Sequence, residues 1–532
     1  MYRSPMQSSF LSVVIPPAEA RAYDMSSRRE LFSALLAMGA CASGWGRRCV
    51  GPTRSALGGS SARGRCAALL FLCVVGLNPI SAQEAPTLRG LERIPSLEGR
   101  VRAIETFVDR RYYDAAGMMY SHSNWREERP FVASDFSALD STIPGPEPDV
   151  WLSYENSVMV AGLFLSAQCY RYDVTGEAAA LDLARRAFEA ISANYALTEN
   201  RPTGAAGVRQ KAGIVEQPVA GQRREAGFFC KPFYGEATDH TSTEQHFWPV
   251  LGLYRYWKHA PAEIRPRIAQ MLREVSERWR RGYRVNFFGE TWDFEQSYPR
   301  AQRHMFSWAV IHRLAHEVTG DADALAEFRR LDSLYGAMPT PRETYWGLGR
   351  SSYISTEDRS FHIQLVVGAD LLLDLEPAGA ERYRRGIEQW WRYSQLGQRD
   401  DLLSYYFIEV DALSGTWRKV PPSTTPRALW RTNYAFHHTV FPICLQGTRE
   451  RQALSSAIVA RRLPGLADEA RKRRGACFAG LDRDHFRWMV DPENATPTEL
   501  RWMFNVLQGD SLAFYPLAYW YGRVHGVEDE WK

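Results

Sequence analysis

Between residues 88 and 524 the chain alternates between an apolar helical run and a more charged one, usually with Gly or Pro at the turn. This pairing limits the possible folds more than any other feature. Residues 154–173 form an apolar run stopped at Thr175-Gly176. Residues 177–195 follow as an amphipathic helix, with Ala and Leu on one face and Arg185-Arg186 on the other. The pattern recurs at 242–258 and 262–283 around Pro261, at 300–319 and 321–336 around Gly320, and at 360–375 and 379–396 around Pro377 and Gly379. It continues at 429–445 and 449–473 around Gly447, and at 498–507 and 510–524 around Gly509. A further helix near 92–110 precedes these six pairs.

Apolar first members and charged second members predict two concentric layers, one inside the other. Six pairs closed in a ring make an all-α (α/α)6 toroid with long loops over one end. A solenoid of the same hairpins is the alternative. Irregular spacing and the lack of a visible repeat disfavour it. The loops at 112–150, 196–240 and 398–428 are rich in Pro, Gly, Asp and aromatics. Loops that long in a compact domain are usually functional. Ser404 to Val410 is β-prone.

Composition narrows the class. With 45% hydrophobic and 24% charged residues among 532, the chain is no collagen, disordered tail or coiled coil. Aromatics reach 13%, rich enough for a binding cleft as well as a core. Residues 1–82 hold nine Arg against three acids, a net of +6, whereas the whole chain is +4. The remaining net of −2 argues against a nucleic-acid partner, which needs a basic face. Arg63 and Arg65 precede the apolar run Ala67 to Leu77, and Ile80-Ser81-Ala82 then leads into Gln83. That order is the pattern of a secretory signal peptide, too short to span a bilayer. The expected organisation is a targeting segment over 1–82, cleaved near Ala82, and one toroid domain over 83–532. The expected location is secreted or periplasmic. Arg28-Arg29 before Leu31 to Ala42 leaves a twin-arginine route open. Four of the eight Cys lie in the targeting segment; Cys169, Cys230, Cys444 and Cys477 remain, without a Cys-x-x-Cys pair. A structural zinc site is therefore not expected, nor any other metal or cofactor. Cys169 and Cys444 sit in apolar runs and are expected in the core.

Polar motifs open the expected inner helices. They are Ser153-Tyr154-Glu155-Asn156, Thr238-Asp239-His240-Thr241-Ser242-Thr243-Glu244-Gln245-His246, Glu295-Gln296-Ser297-Tyr298, Ser355-Thr356-Glu357-Asp358-Arg359-Ser360-Phe361-His362, Arg431-Thr432-Asn433-Tyr434, and Gln508-Gly509-Asp510-Ser511. In a toroid these starts converge on one end and line a cleft. Helix capping is the plain alternative, and Ser242-Thr243-Glu244-Gln245 has the form of a capping box. Capping does not need His240, His246, His362 or Arg359.

The segment Gly227 to Trp257 combines an aromatic loop, Gly-Phe-Phe-Cys-Lys-Pro-Phe-Tyr-Gly-Glu, with the Thr-Ser-Thr-Glu-Gln run that opens a helix. Here the chain resembles secreted α/α-toroid carbohydrate-active proteins, the six-hairpin glycosidases and toroid polysaccharide lyases. In architecture the resemblance covers most of 90–525. It implies a poly- or oligosaccharide as the partner.

Glycoside hydrolysis needs two carboxyl groups flanking the scissile bond, one of them an acid. Asp239 or Glu244 is expected to supply one, and Glu357 or Asp358 the other. Asp293 and Glu295, beside Trp292, are further candidates. Stacking faces for sugar rings are expected from Trp292, Tyr234, Phe233, Trp346 and Tyr353. Glu155, Asn156, Gln245, Arg359, Arg431, Asn433 and Tyr434 complete the candidate substrate-binding set. A lyase needs a Tyr or His base and a group neutralising the uronate. Tyr434 with Arg431, Asn433 and His437-His438 would serve, as would His240 with Tyr298 and Arg359. A non-catalytic glycan binder is a third reading. An intracellular isomerase or epimerase is a fourth, and the signal peptide counts against it. His312 and His316 have the i, i+4 spacing of a metal pair, with a helix-surface location favoured.

Overall fold

The computed structural model describes residues 88, 91–124, 127–130, 154–199, 226–232, 237, 241–287, 290–295, 301–336, 345–346, 351–354, 359–397, 407–411, 417–420, 476–477, 503–504 and 506–526. The chain divides into Met1–Ser81 and Ala82–Lys532, and the described residues all lie in the second unit. The expected boundary at 82, the hairpin at 429–445 and 449–473, and Cys444 lie outside the described residues.

Helix α1, Leu97–Arg111, starts at Ser96, whose hydroxyl accepts from the Gly99 amide at 3.1 Å. Strand β1, His122–Asn124, follows. Helix α2, Ser157–Thr175, is buried at every position from Ser157 to Arg171, as an apolar run without a polar face has to be. It stops where Gly176 takes a left-handed φ of 67° and its amide bonds back to the Tyr172 carbonyl. Helix α3, Ala178–Glu199, packs on it. Helix α4, Glu244–His259, is the next buried one, and α5, Arg265–Arg280, covers it with the stripe Ile268, Met271, Leu272, Val275 and Trp279. The hairpin β2, Arg284–Phe287, and β3, Glu290–Asp293, leads to α6, Ala301–Thr319, and α7, Ala322–Tyr335. Strands β4, Tyr345–Trp346, and β5, Ser351–Ile354, precede α8, Arg359–Leu375, and α9, Ala380–Gly397. Strands β6, Phe407–Asp411, and β7, Trp417–Val420, complete an antiparallel sheet ordered β4-β5-β6-β7. The β-prone run at 404–410 is met by β6. Short strands β8, Ala476–Cys477, β9, Met503–Phe504, and β10, Val506–Gln508, lead to the last helix, α10, Gly509–Val524.

The inner helices pack in the order α10, α2, α4, α6, α8, each with an outer helix against it. This is the layered arrangement of helical pairs expected of the (α/α)6 toroid, described for five pairs. The pairing at the chain ends corrects one expectation. Residues 503–504 and 506–508 are strand, not helix, and β10 pairs antiparallel with β1, Gln508 opposite His122. The outer partner of α10 is α1, from the opposite end of the sequence. The physical reason is the apolar stripe of α1, with Leu97, Val101, Ile104, Phe107 and Val108 all buried, which has to be covered by something.

A buried charge closes that pair. Glu105 of α1 accepts from Trp520 Nε1 of α10 at 2.7 Å, and from Gln168 Nε2 and Arg171 of α2 at 2.9 and 2.8 Å. Burial pushes the Glu105 carboxyl up, and Arg171 opposes this most. Arg171 also bonds Glu177 at 2.6 Å, and Arg102 of α1 grips Glu177 through two nitrogens at 2.6 and 2.7 Å.

Helices α2 and α4 touch backbone to backbone. A Cβ on Gly162 would lie 2.4 Å from both the Pro249 nitrogen and the Trp248 carbonyl carbon. Gly162→Ala is expected to cost about 1–3 kcal/mol, read from denaturant midpoints with an unchanged slope. The hydrogen bonds from Arg102 and Arg171 lower the Glu177 carboxyl from 4.5 to about 2. Its contribution is therefore complete above 4.5 and lost as pH falls towards 2. Glu177→Gln is expected to flatten the acid limb of Tm against pH in that window and to change little of its shape above it.

Candidate functional site

The starts of the inner helices converge, and side chains that ordinarily cap them reach sideways instead. Asn156 precedes α2 and makes no side-chain cap bond. Its Oδ1 accepts from Gln245 Nε2, at the start of α4, at 3.0 Å and from Lys231 Nζ at 3.2 Å. Lys231 also bonds Glu155 Oε1 at 3.1 Å, and both charged side chains are only 4% exposed. Thr243, before α4, likewise makes no cap bond; its hydroxyl lies 2.6 Å from His304 Nδ1 at the start of α6. The capping-box reading of Ser242 to Gln245 is thereby replaced by links between helices. Farther in, Ser307 of α6 donates to Gln364 of α8 at 3.3 Å. Gly509, opening α10, packs against the carbonyls of Tyr120 and Ser121. The Tyr120 ring lies 5.3 Å from that of Tyr154, whose hydroxyl donates to Asp114 at 2.8 Å.

The structure thus brings together three expected residues, Glu155, Asn156 and Gln245. Glu244 is the first residue of α4 and is half-buried. Its Oε2 is shielded from solvent and has no hydrogen-bond partner among the described residues. Trp292, Tyr353 and Arg359 fall in β3, β5 and α8. Asp239, His240, Tyr234, Glu357, Asp358, Arg431, Asn433 and Tyr434 lie outside the described residues.

Three expectations are corrected. His246 is core, not cleft: its Nδ1 donates to the Ser242 carbonyl at 3.1 Å and its Nε2 accepts from the Phe229 amide at 3.1 Å. Burial lowers it to about 3, so the ring stays neutral. His312, expected on a helix surface, is fully buried, bonded to Ser276 and Tyr283 at 2.9 and 2.8 Å. Its partner in spacing, His316, bonds the Asp321 carbonyl at 2.9 Å. Asp293 and Glu295 are engaged by arginines: Asp293 by Arg284 at 2.9 Å, Glu295 by Arg330 of outer helix α7 at 3.0 Å. Cys169 and Cys230 are both buried, as expected of Cys169. Among the described residues no group of three His, Cys, Asp or Glu is placed to hold a metal ion. No described helix is long and apolar enough to cross a membrane.

Sequence reasoning missed Lys231, His304 and the Asp114–Tyr154 pair. Lys231 stood inside the aromatic segment already singled out, a cation within an otherwise apolar and aromatic run. His304 gave a similar signal, directly before Met305-Phe306 on a helix that is buried. Burial first and Asp114 second hold the Tyr154 phenol well above its ordinary value, which makes it a donor and not a base.

No family model and no curated protein matches the sequence. Three solved structures are similar in helical arrangement. A sugar epimerase from a ruminal bacterium is 13% identical with a TM-score of 0.39, over 81% of this chain and 98% of its own. Cellobiose 2-epimerase from Bacillus thermoamylovorans B4167 is 11% identical with a TM-score of 0.39, over 73% and 96%. A family 76 glycoside hydrolase from a bovine Bacteroides thetaiotaomicron strain is 12% identical with a TM-score of 0.41, over 82% and 78%.

Removing one partner of a buried ion pair strands the other. Lys231→Met is therefore expected to cost about 3–5 kcal/mol, with part recovered in the Lys231→Met, Glu155→Gln double variant. Denaturant unfolding of the four forms measures the coupling.

Proposed function

We propose that this chain is an exported carbohydrate-active enzyme that hydrolyses glycosidic bonds of a poly- or oligosaccharide, with Glu244 as an acid/base group. The observation that carries the reading is the state of that carboxyl. Glu155 is committed to Lys231, and Asp293 and Glu295 to arginines. Glu244 starts α4 at the same convergent end, half-buried, with one shielded oxygen that no described donor holds. A group that exchanges protons with substrate needs an oxygen that the protein does not use up, within hydrogen-bond reach of the bond it serves. The Asn156 and Gln245 amides, the Lys231–Glu155 ion pair and the Tyr120–Tyr154 rings at the inner-helix starts are polar and aromatic groups of the kind that line sugar sites. The second carboxyl of the pair is assigned to Asp239, Glu357 or Asp358, as the motif spacing proposes. Export rests on the Arg63-to-Ala82 pattern.

His304 favours a second reading. It is set at the start of α6 by Thr243 and stacks on Phe294 at 4.7 Å and 26°, an arrangement suited to a base for β-elimination or isomerisation.

The chain from Gln83 would be incubated with neutral and acidic polysaccharides and read for reducing ends and for unsaturated-uronate absorbance. Reducing ends without absorbance are expected, and Glu244→Gln should lower their rate by about 100-fold or more. Absorbance, or full activity in Glu244→Gln with loss in His304→Ala, would replace the hydrolase by the second reading.

A further inference from the structure

An ammonium group can only donate hydrogen bonds. The Asn156 atom facing Lys231 Nζ is therefore the carbonyl oxygen. Because Gln245 bonds that same oxygen, the Gln245 atom facing it must be the nitrogen. One buried cation thus fixes the direction of both amides. Asn156, half-buried, is left with its NH2 turned away from the cluster and without a hydrogen-bond partner among the described residues. Gln245 is fully buried, and its Oε1 has no hydrogen-bond partner among the described residues. The cluster therefore leaves an oriented donor at its half-buried edge and, inside it, a shielded acceptor that no described donor fills.

The charges are as informative as the directions. Lys231 and Glu155 neutralise each other out of water. A uronate carboxylate placed here would find its cation already taken. A sugar hydroxyl would find what it needs, since it accepts through oxygen and donates through hydrogen.

We infer that the Glu155–Lys231–Asn156–Gln245 clamp is a subsite for an uncharged sugar ring, with Asn156 NH2 donating to a ring hydroxyl and Lys231 as the positioning residue that sets its direction. This rests on the glycan-active reading above and narrows its substrate to neutral glycans. Asn156→Asp tests it: the substitution keeps an oxygen for Lys231 and Gln245 and turns the outward donor into an acceptor at nearly constant shape.

Dissociation constants of the full chain and of Asn156→Asp would be measured by intrinsic fluorescence. The probes are cello-, manno- and xylo-oligosaccharides and an oligogalacturonate. At least one neutral probe is expected to bind and the oligogalacturonate not to. Asn156→Asp should weaken the neutral probe by about tenfold or more at an unchanged Tm. Lys231→Arg, which keeps a cationic donor, should retain binding better than Lys231→Met at equal Tm loss. If Asn156→Asp does not fold, Asn156→Ser, which puts a hydroxyl acceptor in place of the amide and drops the NH2, carries the comparison. Preference for oligogalacturonate, unchanged neutral binding in the variant, or no neutral binding by the wild type would each overturn the inference. Loss of turnover in Glu244→Gln with unchanged binding in Asn156→Asp would remove the clamp and keep the hydrolase. Loss of neutral binding in Asn156→Asp without bond cleavage by the wild type would do the reverse.

Discussion

A helix that is apolar on every face has to be covered on every face, and α2 imposes that demand on the rest of the chain. It is buried from Ser157 to Arg171 and is covered by α3, α4 and α10. Against α4 the fit is so close that Gly162 meets main chain rather than side chains. Against α10 the cover comes from the far end of the sequence, and α10 in turn is backed by α1. Once α1 and α10 are neighbours, the first and last helices close the layer together. The Glu105 carboxylate is affordable at that junction only because Trp520, Gln168 and Arg171 all bond it. It follows that the chain ends are structural, and that a truncation in α1 would uncover α10 as well.

The two ends of the inner helices are built differently. At the C-terminal ends, neighbours are tied by side chains that use each other up. Tyr521 of α10 donates to Asp370 of α8 at 2.7 Å, and His525 lies 3.5 Å from the same carboxylate. Arg255 of α4 lies over the Tyr170 ring of α2 at 4.6 Å. At the N-terminal ends, the Asn156 and Thr243 side chains leave the helix amides they would ordinarily cap. A forgone cap costs about 1 kcal/mol. The cost is offset by tying α2 to α4 and α4 to α6, and it leaves oriented polar groups at that end.

Most of the helical pairs were legible because apolar runs broken by Gly or Pro are a local signal. Gly176 and Gly320 end α2 and α6 with φ of 67° and 69°, as their positions in the sequence foretold. The pairing of α1 with α10 was not legible, since it is set by which apolar stripes remain uncovered after the rest has folded. The strand Val506–Gln508 was read as helix for the same reason: its partner, β1, lies nearly four hundred residues away. The motif at 153–156 and the run at 241–246 held the residues that meet where α2 and α4 start, Asn156 and Gln245. They did not separate Gln245, which reaches Asn156, from His246 one residue on, which turns into the core. Adjacent helical positions differ by about 100° in direction, so neighbouring residues in a polar run end up in different surroundings.

The electrostatics of the convergent end argue in the same direction as its hydrogen bonds. Each helix start carries a partial positive charge, and several of them meet here. Left bare, such an end would attract anions. Here the chain brings its own: Glu155 beside the start of α2 and Glu244 as the first residue of α4. Lys231 then offsets Glu155 and fixes the amides between them. Among the described residues at this end, the positive character of the helix starts is met by internal carboxylates. What the end retains is directional hydrogen bonding and the half-buried Tyr120–Tyr154 ring pair. Hydroxyls and flat apolar ring faces are the chemistry that such a surface distinguishes best.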